Sequence, residues 1–215
     1  NMSLYLKNNS SVTAASWKDL SSNNNHAGQT NASYQATVSG GGLDFELGHE
    51  DHYDLTSEIS VEGEEGFTLF LVCKPESLGV NATILAKDST AHFLEFMAGQ
   101  DNLRIKLGST NTTITPNATN QWTVGEKFLL TLIRDSGGTG NLLVYKNGVL
   151  LSQTSAGQAT NVGDAEFGQI GARNASGSED RFFDGIIYEL AFYEKQLNKI
   201  EIADAHSYLL SKFGV

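Results

Sequence analysis

The chain has 215 residues, and 14 lysines and arginines stand against 25 aspartates and glutamates, for a formal net charge of −11. The basic residues are scattered along the sequence, so the basic track of a general nucleic-acid binder is missing, and the acidity is repelled by anionic lipid headgroups. The longest uncharged runs, such as Phe67 to Cys73 and Phe128 to Ile133, are far too short to cross a bilayer, and the single cysteine, Cys73, excludes an intrachain disulfide framework.

Asn1 before Met2 reads as a tag remnant, and one domain is expected over residues 2–215, because no repeat, low-complexity stretch or shift of composition divides the chain. The recurring signal is a run of four to eight residues rich in Val, Ile, Leu, Phe and Thr, bounded by Gly, Asn, Asp or Ser; this is the pattern of antiparallel strands and turns. It predicts strands near Ser3–Leu6, Tyr34–Val38, Gly42–Phe45, Gly66–Lys74, Thr83–Lys87, His92–Ala98 and Asn102–Leu107. Further strands are expected near Thr110–Thr115, Lys127–Asp135, Gly140–Lys146, Val149–Ala156, Ala165–Ile170 and Gly185–Phe192. Glu58 to Glu65 reads as a solvated acidic loop ahead of the core strand, in which Cys73 is a buried small hydrophobe. Asn147-Gly148 supplies the two positive-φ residues of a type I′ turn, so the strands on either side of it should pair. One helix is expected, from Asn198 to about Leu210, with Asn198 as cap, Glu201 completing a capping box and Gly214 as the stop.

Taken in order, several segments resemble one known family. Trp17-Lys-Asp-Leu-Ser-Ser-Asn-Asn-Asn-His-Ala27, Leu43-Asp-Phe45, Asp51-His-Tyr53 and Phe67-Thr-Leu-Phe-Leu-Val-Cys-Lys-Pro75 form the first half of the match. Trp122-x-x-Gly125, Leu143-Val-Tyr-Lys-Asn-Gly148, Phe183-Asp-Gly-Ile-Ile-Tyr-Glu-Leu-Ala-Phe-Tyr193 and Tyr208-Leu-Leu-Ser-Lys-Phe-Gly214 form the second. Together they resemble the laminin G-like branch of the concanavalin A-like lectin/glucanase superfamily. The resemblance implies an all-β fold, a two-sheet antiparallel jelly-roll sandwich with a short C-terminal helix. Within it, Trp17 and Trp122 are read as packing residues, and Glu189, which alternates with apolar neighbours, as a buried or edge hydrogen-bonding group.

A search for chemistry finds no catalytic set. Glu58 and Glu62 come nearest to the Glu-x-Asp-x-x-Glu strand of the superfamily's glycosidases, but the central Asp is absent. Residues four apart on a regular strand are also about 13 Å apart, against roughly 5–5.5 Å for retaining chemistry. The Arg-Glu-Leu-Arg and Gln-x-His strands of similar lyases do not occur, and neither do a nucleophile elbow or a phosphate-binding loop. His49 and His52, beside Asp51 and Asp54, lack a second cluster; they are read as exposed polar residues and zinc is not expected. Calcium is the one cofactor left open, since relatives hold it at loops, although Tyr188 stands where the family often has Asp. The long polar connection between the last two strands gathers Asn174, Glu179, Asp180, Arg181 and Asp184, and is where a rigid sandwich would carry recognition groups.

The expected function is therefore a non-catalytic recognition module that binds a glycan or a cell-surface or virion protein, on a phage fibre, spike or capsid exterior or in a bacterial adhesin. The Asn-, Ser-, Thr- and Gly-rich composition, with two prolines and one cysteine, favours a bacterial or phage origin. The alternatives are a virion decoration protein acting as a symmetric oligomer and, third, a polysaccharide-degrading enzyme. A polar groove on the concave sheet would favour a ligand, and a flat or filled face would favour assembly.

Overall fold

In the computed structural model the described residues are 1–87, 90–99, 102–116, 121–151, 159–175 and 177–215. The main strands are β1 (Met2–Leu6), β2 (Gly42–Phe45), β3 (Tyr53–Val61), β4 (Phe67–Pro75), β5 (Ala82–Ala86) and β6 (Phe93–Phe96). They continue with β7 (Leu103–Leu107), β8 (Thr110–Ile114), β9 (Phe128–Arg134), β10 (Leu142–Lys146), β11 (Ala165–Ile170) and β12 (Gly185–Tyr193), followed by helix α1 (Lys199–Phe213).

These strands form two antiparallel sheets. The first runs Val149–Leu150, β10, β9, β4, β12, β2, Thr37–Ser39, with β1 pairing β12 beside β2. The second runs β8, β7, β6, β5, β11, β3, then the short strands Ala27–Gly28, Ser16–Trp17 and Val12–Thr13. Successive side chains on a strand point to opposite faces, so each sheet has an inner and an outer set. In β4 the inner set, Phe67, Leu69, Leu71 and Cys73, joins the core between the sheets. Its outer set, Phe70 and Val72, packs with Leu129, Ala191, Leu209 and Phe213 beneath α1. The uninterrupted apolar run of β4 has this double coverage as its cause. Burial also pushes the Cys73 thiol well above its ordinary range. Trp17 and Trp122 are core residues, the latter packed against Phe96 and Phe128.

The opening Trp-x-Asp motif has a structural job. The Asp19 carboxylate accepts hydrogen bonds from the Tyr5, Ser21 and Asn25 backbone amides and from the Ser21 hydroxyl, which folds the 19–25 turn onto β1. Glu189 is buried on the outer face of β12, where it accepts from the Tyr5 hydroxyl and the Asn8 amide and pairs with Lys212 of α1. The helix is capped as expected, by Asn198 with Glu201 and by left-handed Gly214, and runs one turn beyond Leu210. Asn147 and Gly148 both have positive φ, and Lys146 pairs with Val149 across them.

Two expected elements need correction. Glu58 to Glu65 is not one loop: Glu58 to Val61 completes β3, whose Ile59 and Val61 face the core while Glu58 and Ser60 face water, and only the residues after it turn. The alternation was hidden by the run of acidic residues. Ala32–Tyr34 forms a 3₁₀ turn capped by Asn31, leaving only Thr37–Ser39 as strand. Beyond Val149, the strand is described for Val149–Leu150 alone; residues 152–158 lie outside the described residues. His52 also departs from its exposed reading: it is buried against Tyr34 and Phe182, with Nδ1 on the Glu50 carbonyl.

Arg134, at the end of β9, is fully buried with its guanidinium over the Phe67 ring. It donates to the carbonyls of Glu65 (2.8 Å) and Glu62 (2.6 Å) and to those of Val61 and Gly163. Those acceptors belong to the end of β3, the turn into β4 and the approach to β11, so one side chain ties both sheets together at this end of the sandwich. Burial depresses its pKa, although nearby acids oppose the shift. Arg134→Met, which keeps the bulk and strands the carbonyls, is expected to lower stability by about 3 kcal/mol in denaturant unfolding; a loss under about 1 kcal/mol would show that the clamp is dispensable.

His206 of α1 sits over the outer face of the first sheet, edge-on to Phe70 and Tyr145 with Nε2 3.0 Å from the Thr131 hydroxyl. Burial holds its pKa below the ordinary imidazole value. The unfolded chain therefore takes up the proton first, and the contribution of His206 is full above about pH 6.5 and lost as the pH falls through that value toward the lower folded one. Thermal melts between about pH 8 and 5 are expected to show this loss in the wild type and a flatter profile in His206→Gln. An identical slope in both proteins would remove His206 as its cause.

Candidate functional site

The outer face of the first sheet is covered by α1, whereas that of the second sheet is open. Its exposed set is polar because the opposite set is spent on the core: Asp54, Thr56, Ser57, Glu58 and Ser60 of β3 face water. In the same way Arg104 and Lys106 alternate with buried Leu103, Ile105 and Leu107 in β7. Register carries the row across the sheet. Gly28 stands opposite Asp54, Asp54 opposite Gln169, Gln169 opposite Ala86, Ala86 opposite Phe93, and Phe93 opposite Lys106.

Two adjoining depressions follow this row. One, of ≈ 350 Å³, is lined by Asp54 to Glu58, Gly168, Gln169, Asn174 and Glu179. The other, of ≈ 320 Å³, shares Asp54, Leu55 and Thr56 and continues over His26, Gly28, Gln29 and Thr30 toward Ser16. Gly168 helps to open the first: a Cβ there would lie 3.0 Å from the Glu58 side chain. Gln169 is buried at the floor, its amide nitrogen 3.3 Å from Asp54 and its amide oxygen without a hydrogen-bond partner among the described residues. At the far wall Lys87 bridges Glu166 (2.8 Å) and Glu58 (3.4 Å), and His92 meets Glu166 at 3.0 Å. The hydrogen bond to Glu166 raises the Lys87 pKa above its ordinary value and keeps the ammonium charged.

The long polar connection forms a small hairpin, Arg173–Asn174 paired with Glu179–Asp180, that stands over this face. It divides the expected site residues. Asn174 and Glu179 line the groove. Asp180 is engaged by Arg173 through a two-pronged pair at 2.8 and 2.5 Å. Arg181 adopts a left-handed backbone conformation, φ 54°, that a side chain rarely accepts, and reaches back to Glu95 of β6. Asp184 does not belong to the group. It lies at the other end of the connection, hydrogen-bonded through its carbonyl to the Glu76 amide, and burial together with Glu76 raises its pKa. A linear reading of the loop could not see this division, which the strand register of β12 imposes.

Asp184 neighbours the residues that could hold a cation. Carboxylate oxygens of Asp44, Glu46 and Glu76 lie within 4.8 Å of one another, a hard-oxygen set of the kind calcium takes, and the buried Asp44 Oδ1 has no hydrogen-bond partner among the described residues. Burial and the neighbouring acids raise the Asp44 pKa, while Glu76 is also paired with Lys74. Asp54 enters the sequence reading only as part of a metal set with His49 and His52, and residues that sequence reasoning missed are Gln169, Phe93, Glu95, Arg104, Lys106 and Arg173. The Leu-Arg-Ile-Lys-Leu alternation of β7 carried the signal for Arg104 and Lys106, but nothing local marks the others.

The sequence matches the family model described as the concanavalin A-like lectin/glucanases superfamily over residues 47–203, from the approach to β3 into the first turns of α1. No curated protein matches it. Among solved structures the chain is similar to the binding domain of Paraclostridial Mosquitocidal Protein 1, at 16% identity over 97% of this chain and 52% of that one, with a TM-score of 0.65. It is also similar to Trypanosoma rangeli sialidase, at 15% identity over 99% of this chain and 33% of that one, with a TM-score of 0.60. The chain thus spans about a third of the sialidase chain and about half of the mosquitocidal one, and at these identities the likeness is one of fold. With the family model covering well over half of its length and two packed antiparallel sheets beneath the match, the chain belongs to the concanavalin A-like lectin/glucanases superfamily.

Proposed function

We propose that this chain is a non-catalytic glycan-binding module whose ligand lies along the outer face of the second sheet. The observation that carries this reading is the buried Gln169 amide oxygen, an acceptor without a partner among the described residues, at the floor of an open polar groove. An unpaired buried polar atom is costly unless a ligand or water satisfies it, and a sugar hydroxyl can donate to Gln169 while accepting elsewhere. The lining mixes carboxylates, hydroxyls and amides (Asp54, Thr56, Ser57, Glu58, Asn174, Glu179), the complement of a surface of hydroxyl groups. The ion pair of Glu58 with Lys87 and the contact of Asp54 with Gln169 support a binding role for these carboxylates. The proposed setting is the exterior of a virion or a bacterial cell surface, on the compositional ground given above.

Titration against a panel of neutral and acidic oligosaccharides tests the proposal. Binding is expected, with Gln169→Ala and Asp54→Ala each weakening it roughly tenfold, equivalent to about 1.4 kcal/mol. Thermal melts check that both variants remain folded. Absence of binding to every saccharide, or unchanged affinity in both folded variants, would overturn the groove as the site. Release of reducing ends from any of them would replace the binding reading with an enzymatic one.

A further inference from the structure

Across the hairpin from the groove lies a concentration of positive charge that the acidity of the whole chain conceals. The charged groups of Arg104, Lys106, Arg173 and Arg181 lie 5.2, 5.9, 5.3 and 5.8 Å from the centroid of one ring, that of Phe93. They arrive from three places in the sequence. Arg104 and Lys106 come from the outer set of β7, Arg173 from the first strand of the hairpin, and Arg181 from the residue after its second strand. Phe93 itself is buried beneath them, so it is their floor and not a stacking platform.

Among the described residues, two carboxylates answer these four cations. Glu95, fully buried, takes Arg104 and, through both oxygens at 2.8 and 2.9 Å, Arg181. Asp180 takes Arg173. Lys106 donates to the Thr90 carbonyl, a neutral acceptor. Counted over the described residues, the cluster therefore keeps a surplus of positive charge in which like groups repel one another, and the buried Nε of Arg104 has no acceptor among them. Thr83, opposite Glu95 in register, likewise keeps a buried hydroxyl without a partner. Cation–π attraction to Phe93 offsets part of the repulsion. An anion placed among the guanidinium groups would offset the rest and supply the missing acceptor, and planar guanidinium forks suit carboxylate and sulfate oxygens.

We propose that the Arg104–Arg173–Arg181 cluster on Phe93 is a subsite for the acidic group, carboxylate or sulfate, of an acidic saccharide whose neighbouring residue occupies the groove. This rests on the glycan-binding reading above. The hairpin supplies the continuity, since Asn174 and Glu179 line the groove while Arg173 and Asp180, one residue away on each strand, belong to the cluster.

The test compares three oligosaccharides of matched length, one neutral, one carrying uronates and one carrying sulfates, with a DNA oligonucleotide of similar charge as a fourth probe. At least one acidic saccharide is expected to bind tenfold or more tightly than the neutral one and to lose that margin as salt rises, and comparing the uronate with the sulfate identifies the anion. Arg173→Gln is expected to erase the margin, read as the ratio of acidic to neutral affinity within that variant. Lys106→Gln, which breaks no ion pair among the described residues, keeps the test valid if the arginine variant fails to fold; it is expected to narrow the margin. Equal affinity for neutral and acidic saccharides, or equal weakening of both in these variants, overturns the subsite while leaving the groove standing. No saccharide binding at all overturns both. Oligonucleotide binding as tight as that of the acidic saccharide would show a nonspecific polyanion surface and also overturn the proposal.

Discussion

Two sheets bury their facing side chains in one apolar layer that draws on residues from Leu4 to Phe192. Because side chains alternate along a strand, this burial also decides what the opposite faces carry. The two outer faces are treated differently. That of the first sheet is apolar at Phe70, Val72, Leu129 and Ala191 and is closed by α1. That of the second is polar and carries the groove. A one-residue slip in β3 or β11 would exchange Ile59 and Phe167 with Glu58 and Glu166, putting charge into the core and apolar groups into the groove. The stability of the sandwich and the position of the candidate site are therefore consequences of the same register.

Buried polar groups divide into two kinds. Asp19, Glu189 and Arg134 are enclosed by donors or acceptors from distant segments and serve as ties: Asp19 folds the opening motif, Glu189 links β1 and β12 to α1, and Arg134 joins the sheet ends. Their hydrogen-bonding capacity is largely met within the fold. Among the described residues six side chains keep a buried atom without a partner: those of Gln169, Thr83 and Arg104 lie on the outer side of the second sheet, and those of Asp44, Asp51 and Trp122 lie elsewhere in the fold. Each such atom is a place where a bound group or water can supply the missing partner.

The hairpin at Arg173–Asp180 joins the groove to the cationic cluster and is held by strands at its base. Its anchor is the β5–β6 region, where the Arg181 carbonyl accepts from the Thr83 amide and its guanidinium meets Glu95. The left-handed backbone at Arg181 turns the chain so that one residue makes both contacts. Net charge is a poor guide to such a place. A chain at −11 can still present a local surplus of cations, because the Debye length at physiological ionic strength, about 8 Å, isolates a cluster from charges elsewhere on the molecule.

Much of the architecture was written locally. The apolar runs of β4 and β9, the Asn147-Gly148 turn, the Asn198–Glu201 capping box and the core role of both tryptophans were all legible, because each depends on residues a few positions apart. Strand β3 was not, since its outer acids masked a period of two that only the inner Tyr53, Leu55, Ile59 and Val61 reveal. Within the long loop, composition singled out five polar residues, and the fold kept Asn174 and Glu179 for the groove, Asp180 and Arg181 for the cluster, and sent Asp184 to the acids beside β4. The sequence by itself determined the family, the jelly-roll class and the helix that closes one face. Only the tertiary structure decided that Asp54, Gln169 and Asn174 share a groove and that Arg104, Arg173 and Arg181 share a ring, because cross-strand register, not proximity along the chain, brings them together.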